Sequence, residues 1–202
     1  MEQHTASTVS DLGLIKGAAF REFLVYYARA VSLTRARDVV AETGRSVLSP
    51  ERPDFGVLQN AWYPAELVNE ILDRLTDGFS ESELEKLAQE TANHVMRVTL
   101  RGIYKTMFTL IATPERYARH VAKLWRVHYD NGEPAVVNPV PGEHHITFMA
   151  WRSHHPFSCR LNMSAALPIY GAMGCKDVRW RRAHCKSRGG AHCTCIVTWR
   201  AH

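Results

Sequence analysis

The hydrophobic period of this 202-residue chain changes near residue 124, and that change restricts it to a small set of folds. Upstream, apolar residues recur at spacings of three and four. Ile15, Ala18, Ala19, Phe23, Tyr26 and Tyr27 predict a first helix, and a second stretch over 36–42 stops at Gly44. Pro50 and Pro53 mark residues 49–54 as a loop. Trp62-Tyr63-Pro64 is expected to open a helix, since Pro suits a first turn that needs no N–H. Leu67, Val68, Ile71, Leu72 and Leu75 give that helix its apolar stripe, and Asp77-Gly78 ends it. Ser80 and Glu83 have the spacing of a capping box for the next helix, which carries Leu84, Leu87 and Ala88. Ile103, Met107 and Leu110 predict more helix. Thr113 then caps a helix presenting Tyr117, Val121 and Leu124.

Downstream the period shortens to two and turn signals multiply. Asp130-Asn131-Gly132 reads as a hairpin turn between strands over 124–129 and 135–138. Pro139-Val140-Pro141-Gly142 is another turn, and 145–151 a third strand. His155-Pro156 opens a helix running to about Met173, with Pro168 inside it as a kink. A last hairpin spans 177–186 and 192–200 around Ser-Arg-Gly-Gly. The expected class is α+β: N-terminal helices packed on a C-terminal antiparallel sheet, with a helix inserted before the last hairpin. Residues 1–12 read as a polar tail. Residues 13–202 read as one domain with a helical half, 13–123, and a sheet-containing half, 124–202.

Composition fits one globular domain, with 46% hydrophobic and 22% charged residues. No run approaches the roughly 20 apolar residues of a membrane span. The start, MEQHTASTVSDLG, lacks a basic segment followed by an apolar one, so the expected compartment is the cytoplasm. The five cysteines all lie after residue 158; an odd, clustered set argues against a disulfide framework. Residues 176–188 hold six basic side chains against Asp177 alone. Such a patch could face nucleic acid, anionic lipid or an acidic partner. The plainer reading is a solvated strand face, so nucleic acid is not indicated.

Several short motifs occur in a recognisable order. They are Ile15-Lys16-Gly17, Trp62-Tyr63-Pro64, Thr113-Pro114-Glu115, Leu124-Trp125-Arg126 and Tyr129-Asp130-Asn131-Gly132. His155-Pro156-Phe157-Ser158-Cys159 and Gly174-Cys175-Lys176-Asp177-Val178 follow, then the run from Cys185 to Cys193, closing at Thr198-Trp199. In this order the chain resembles an uncharacterised, myxobacterial-type family related to 4-vinyl reductase, heme-NO-binding and Bet3-like domains. The resemblance implies a helix-covered antiparallel sheet and a homodimer joined through the N-terminal helices, here through Phe23, Tyr26 and Tyr27. It also implies a zinc site, because Cys159, Cys185 and Cys193 fall where phenol-sensing relatives hold zinc. The acidic fourth ligand of those relatives is replaced by Arg182, a cation that repels metal. Cys195, His154 or His155 could take its place. Buried reduced thiols and a cross-strand disulfide between Cys185 and Cys193 are the competing readings.

Trp125, Tyr129, Phe148, Trp151 and Trp180 are candidates to line an apolar ligand pocket, or to fill the core. His155 before Pro156 reads as a helix cap more readily than as a ligand, and His128 as a strand residue without chemistry. No nucleophile elbow, phosphate loop or paired-carboxylate motif occurs, so an enzyme is not expected. Heme is not expected either, because a proximal His followed by Tyr-x-Ser-x-Arg is missing. The expected function is therefore a small-molecule-sensing domain that binds a small hydrophobic ligand and acts through a protein partner. A dimeric scaffold without ligand is the alternative, with a heme-based gas sensor behind it. An apolar cavity of roughly 300 Å³ or more would mark the sensor, and a filled interior the scaffold.

Overall fold

The protein, seen in a computed structural model, is described over residues 11–44, 47–99 and 113–200. Residues 1–10 of the expected tail and the helix expected around Ile103, Met107 and Leu110 lie outside these.

Two short strands open the two parts of the helical half. β1 (Leu14–Lys16) pairs antiparallel with β2 (Trp62–Pro64), placing Ile15 opposite Tyr63. Trp62-Tyr63-Pro64 is thus a strand, and the helix it was expected to open starts one residue later. Helices α1 (Gly17–Ala30), α2 (Leu33–Gly44), α3 (Ala65–Thr76) and α4 (Glu81–Thr99) follow. The capping box forms: the Ser80 N–H donates to Glu83 Oε2 at 2.7 Å, and the Glu83 N–H to Ser80 Oγ at 3.4 Å. Phe23 and Tyr27 are buried within the chain's own core, and the Tyr27 hydroxyl donates to the Leu75 carbonyl. The stripe that motivated a dimer interface is therefore used internally.

Helix α5 (Pro114–Trp125) starts at Thr113, whose side chain accepts from the Arg116 N–H. No strand follows over 124–129. The Trp125 carbonyl accepts the N–H groups of both His128 and Tyr129, which extends the helical turn. β1 then claims this segment: the Lys16 N–H donates to the His128 carbonyl, and Ile15 bridges to Tyr129. Gly132, at φ +84°, turns the chain into β3 (Glu133–Val137) rather than into a hairpin partner.

The main sheet runs in the order β3, β4 (Glu143–Met149), β6 (Cys193–Arg200), β5 (Lys176–His184), all antiparallel. Between β4 and β5 sit α6 (Pro156–Ser164) and α7 (Ala166–Ala172). The single helix expected here breaks at Ala165, because Pro168 has no N–H for the Ser164 carbonyl and its ring crowds that position. One sheet face, carrying His144, Ile146 and Phe148 of β4 with Cys193, Cys195 and Val197 of β6, is buried. The class is α+β as expected. Among the described residues no helix is long and apolar enough to cross a membrane.

A candidate ligand cavity and a thiol cluster

Two features converge on helix α6. The first is a cavity of about 200 Å³ between α1, α4 and α5 on one side and β4 with α6 and α7 on the other. Trp125, Tyr129 and Phe148 line it. Trp125 stacks on Tyr129, centroids 4.1 Å apart, and its indole N–H donates to the Asn131 carbonyl at 2.8 Å. These contacts hold both rings rigid. The Tyr129 hydroxyl accepts from Asn162 Nδ2 on α6, and burial pushes its pKa up to about 12.

Trp151 and Trp180 do not line this cavity. Trp151 packs edge-on against Trp125 from behind, and its N–H is spent on Ser153 Oγ. Trp180 sits half-buried on β5, the sheet's outer strand. The wall that sequence reasoning missed is helical: Ala19 of α1, Ala92 and Met96 of α4, and Ile169 of α7. Their small or flexible side chains on already amphipathic helices carry no signal of a pocket.

His128, expected in a strand, instead follows α5 in a helical turn. It lines the cavity, and its backbone is fixed by Trp125 on one side and Lys16 on the other. Its Nδ1 is buried without a hydrogen-bond partner. Burial, reinforced by the nearby Lys16 charge, pushes its pKa down to about 4, so the imidazole is neutral at pH 7.

The second feature is a cluster of Cys159, Cys185, Cys193 and His154, whose ligating atoms all lie within 4.8 Å of one another. Cys159 occupies the first turn of α6, Cys185 ends β5's course and Cys193 begins β6. The Cys185 Sγ lies 3.8 Å from Cys159 Sγ, 3.8 Å from Cys193 Sγ and 3.9 Å from His154 Nε2. Val178 and Trp180 lie an odd number of residues from Cys185, so a regular strand would turn its sulfur outward. A register shift between Arg182 and His184 restores the inward direction. Arg182 points away, to Glu85 at 3.0 Å. His155 is the cap of α6: its Nδ1 accepts from the Phe157 N–H, and its Nε2 meets Asp73. Cys195 is buried on β6 outside the cluster, and Cys175 is half-buried. The Cys193 thiol is held below its ordinary pKa, first by the hydrogen bond from Cys159 and then by His154 and the Lys186 N–H. Cys159 is correspondingly raised.

No family model matches the sequence, and no curated protein does. Solved structures do match. One, from work probing the function of heme distortion in the H-NOX family, has a TM-score of 0.67 at 6% identity, covering 93% of this chain and 96% of that one. An H-NOX protein from S. oneidensis in the Fe(II)NO ligation state has a TM-score of 0.63 at 11% identity, covering 93% and 100%. An unliganded Fe(II) H-NOX protein from K. algicida has a TM-score of 0.61 at 15% identity, covering 93% and 98%. Kinship with 4-vinyl reductase and Bet3-like domains stays an expectation from the sequence. The cofactor expectation is corrected: the matched structures are heme proteins, so heme was wrongly set aside, and zinc draws no support from them. Over nearly its whole length, the chain has the fold of the H-NOX domains.

Proposed function

We propose that the chain is a non-catalytic sensory domain that takes a flat, largely apolar ligand into the cavity beside His128, with heme the first ligand to test. In this reading it works in the cytoplasm and passes its signal to a protein partner by contact. The observation that carries it is His128: a neutral imidazole with an unpartnered nitrogen, in the wall of a largely apolar cavity. Neutral imidazole is the form that ligates metals, so the donor suits a heme iron. The described lining holds no carboxylate or thiol, and its two phenols are raised by burial, which favours binding over acid–base chemistry.

The space is tighter than the donor. About 200 Å³ is below the roughly 300 Å³ expected of a sensor, yet the interior is not filled as a scaffold requires. A void of this size takes a one-ring ligand as it stands, since an apolar cavity of about 150 Å³ takes benzene. A porphyrin needs the helical wall to move outward. Its propionates must leave by the mouth, because no Lys or Arg is among the described lining residues.

The test is titration with hemin, read by its Soret band, beside titration with benzene and indole, read by melting temperature. The expected result is binding of hemin or of a one-ring ligand that Val121→Trp, which fills the cavity, abolishes. Hemin binding should weaken at least tenfold in His128→Ala. If neither class binds the folded protein, or if Val121→Trp binds as well as the parent, the reading fails.

A further inference from the structure

The last hairpin encloses a second, smaller cavity of about 140 Å³, lined by Arg182, Ala183, His184, Cys185, Arg188 and Gly190. It is polar and cationic where the first is apolar. It lies against the thiol cluster and is independent of the proposed ligand cavity.

We propose that Cys185 and Cys193 are a reversible oxidation site, closing to a disulfide when hydrogen peroxide reaches Cys185 through this cavity. Three observations support it. The first is register. His184 of β5 faces Thr194 of β6, so the next residues toward the turn, Cys185 and Cys193, face each other. Opposed residues of antiparallel strands have Cα atoms about 4.5–5.5 Å apart, inside the roughly 4.4–6.8 Å range of disulfides. The sulfurs, 3.8 Å apart, need only rotate about χ1 to reach the roughly 2.05 Å of a bond. The second is the rigid turn: the N–H groups of Arg188 and Gly190 both donate to the Cys185 carbonyl, so the backbone is already placed. The third is the surroundings. The Lys186 N–H donates to Cys193 Sγ at 3.4 Å, and Arg182 and Arg188, paired with Glu85 and Glu81, line the approach to Cys185. A hydrogen bond to sulfur favours the Cys193 thiolate, the nucleophile that closes the disulfide.

The chemistry balances with peroxide as the two-electron oxidant. The Cys185 sulfur attacks one peroxide oxygen and the O–O bond breaks. Cys185 becomes a sulfenic acid, and its thiol proton leaves with the other oxygen as water. The Cys193 thiolate then attacks the Cys185 sulfur; an S–S bond forms, and the S–O bond breaks to release hydroxide, which takes a proton from solvent to become a second water. A dithiol reductant reverses the reaction.

Trypsin provides the assay. It cuts after Arg182, Lys186 and Arg188, and so separates Cys185, in residues 183–186, from Cys193, in residues 189–200. Folded protein treated with a small excess of peroxide should fall from five free thiols to three per chain. Its unreduced digest should contain those two peptides joined, and dithiothreitol should part them. Cys195→Ala, which changes the neighbouring cysteine on the same peptide, should leave the link intact. Cys193→Ala should abolish it and leave a sulfenic acid on Cys185 that dimedone traps. A link from Cys185 to Cys159, a chain oxidised only after unfolding, or a stoichiometric metal ion shielding the thiols would each overturn the proposal.

Discussion

Acidification from about pH 7.5 to pH 4.5 should destabilise the protein, and one substitution should remove a defined share of that loss. Burial sets the folded pKa of His128 near 4, against about 6.5 when the chain unfolds. The sign follows from where the protons go. At pH 7.5 both states are neutral at this ring, and it adds no pH dependence. As the pH falls through 6.5 the unfolded chain binds a proton that the folded protein still refuses, so stability is lost. The loss levels off near pH 4, where the folded ring also protonates. At pH 4.5 the unfolded ring is almost fully charged and the folded ring only about a quarter charged, which amounts to about 2.5 kcal/mol. For a chain of this length that is a fall in melting temperature of roughly 5–10 °C. Urea melts at the two pH values, on wild type and His128→Phe, isolate the ring. His144 and His155, both lowered mainly by burial, are present in each protein and cancel in the difference. The variant should lose about 2.5 kcal/mol less than wild type on acidification. Equal losses would refute the placement of His128 as a buried neutral base.

Other substitutions test the frame around the cavity. Asn131→Ala should cost about 3 kcal/mol in urea melts: Asn131 Oδ1 accepts the Arg152 and Ser153 N–H groups and its Nδ2 donates to the Leu12 carbonyl, so the backbone N–H of buried Ser153 would lose its acceptor. Gly132→Ala should cost about 2 kcal/mol, because the residue sits at φ +84° and a Cβ would lie 3.0 Å from the Trp125 indole nitrogen. Phe157→Ala, at a ring 5.2 Å from Phe23 and 2% exposed, should cost about 3–5 kcal/mol, whereas Val137→Ala, 61% exposed, should stay within about 0.5 kcal/mol by the same melts.

The residues that were legible in the sequence are those whose partners are near in the chain. Ser80 with Glu83, Thr113 before Pro114, and the parity conflict between Trp180 and Cys185 each announce their structure within a few positions. The segment 124–129 was not legible. Its aromatic and β-branched residues favour a strand locally, and the decisive contact is with Leu14, whose N–H reaches Asp130 Oδ1 across 116 positions. The cavity was half legible for the same reason. Trp125, Tyr129 and Phe148 stand out by type, while Ala19, Ala92 and Met96 matter only for where the helices put them. Trp151 misled because Ala150, at φ +48°, redirects the chain and turns that indole into the core. The cysteines were brought together by topology: α6 leads through α7 into the hairpin that carries the other two.

Helix α6 presents Cys159 to the thiol cluster and, within the next turn, Leu161 and Asn162 to the cavity. This nine-residue helix is thus a wall common to the cluster and the cavity. Thermodynamic reciprocity then constrains them jointly. Whatever factor an occupied cavity applies to the oxidation equilibrium of the cluster, closing the disulfide must apply to the ligand's affinity. A potential measured with and without ligand would predict a dissociation constant measured with and without oxidant, and the sensor would report the conjunction of two chemical conditions instead of either alone.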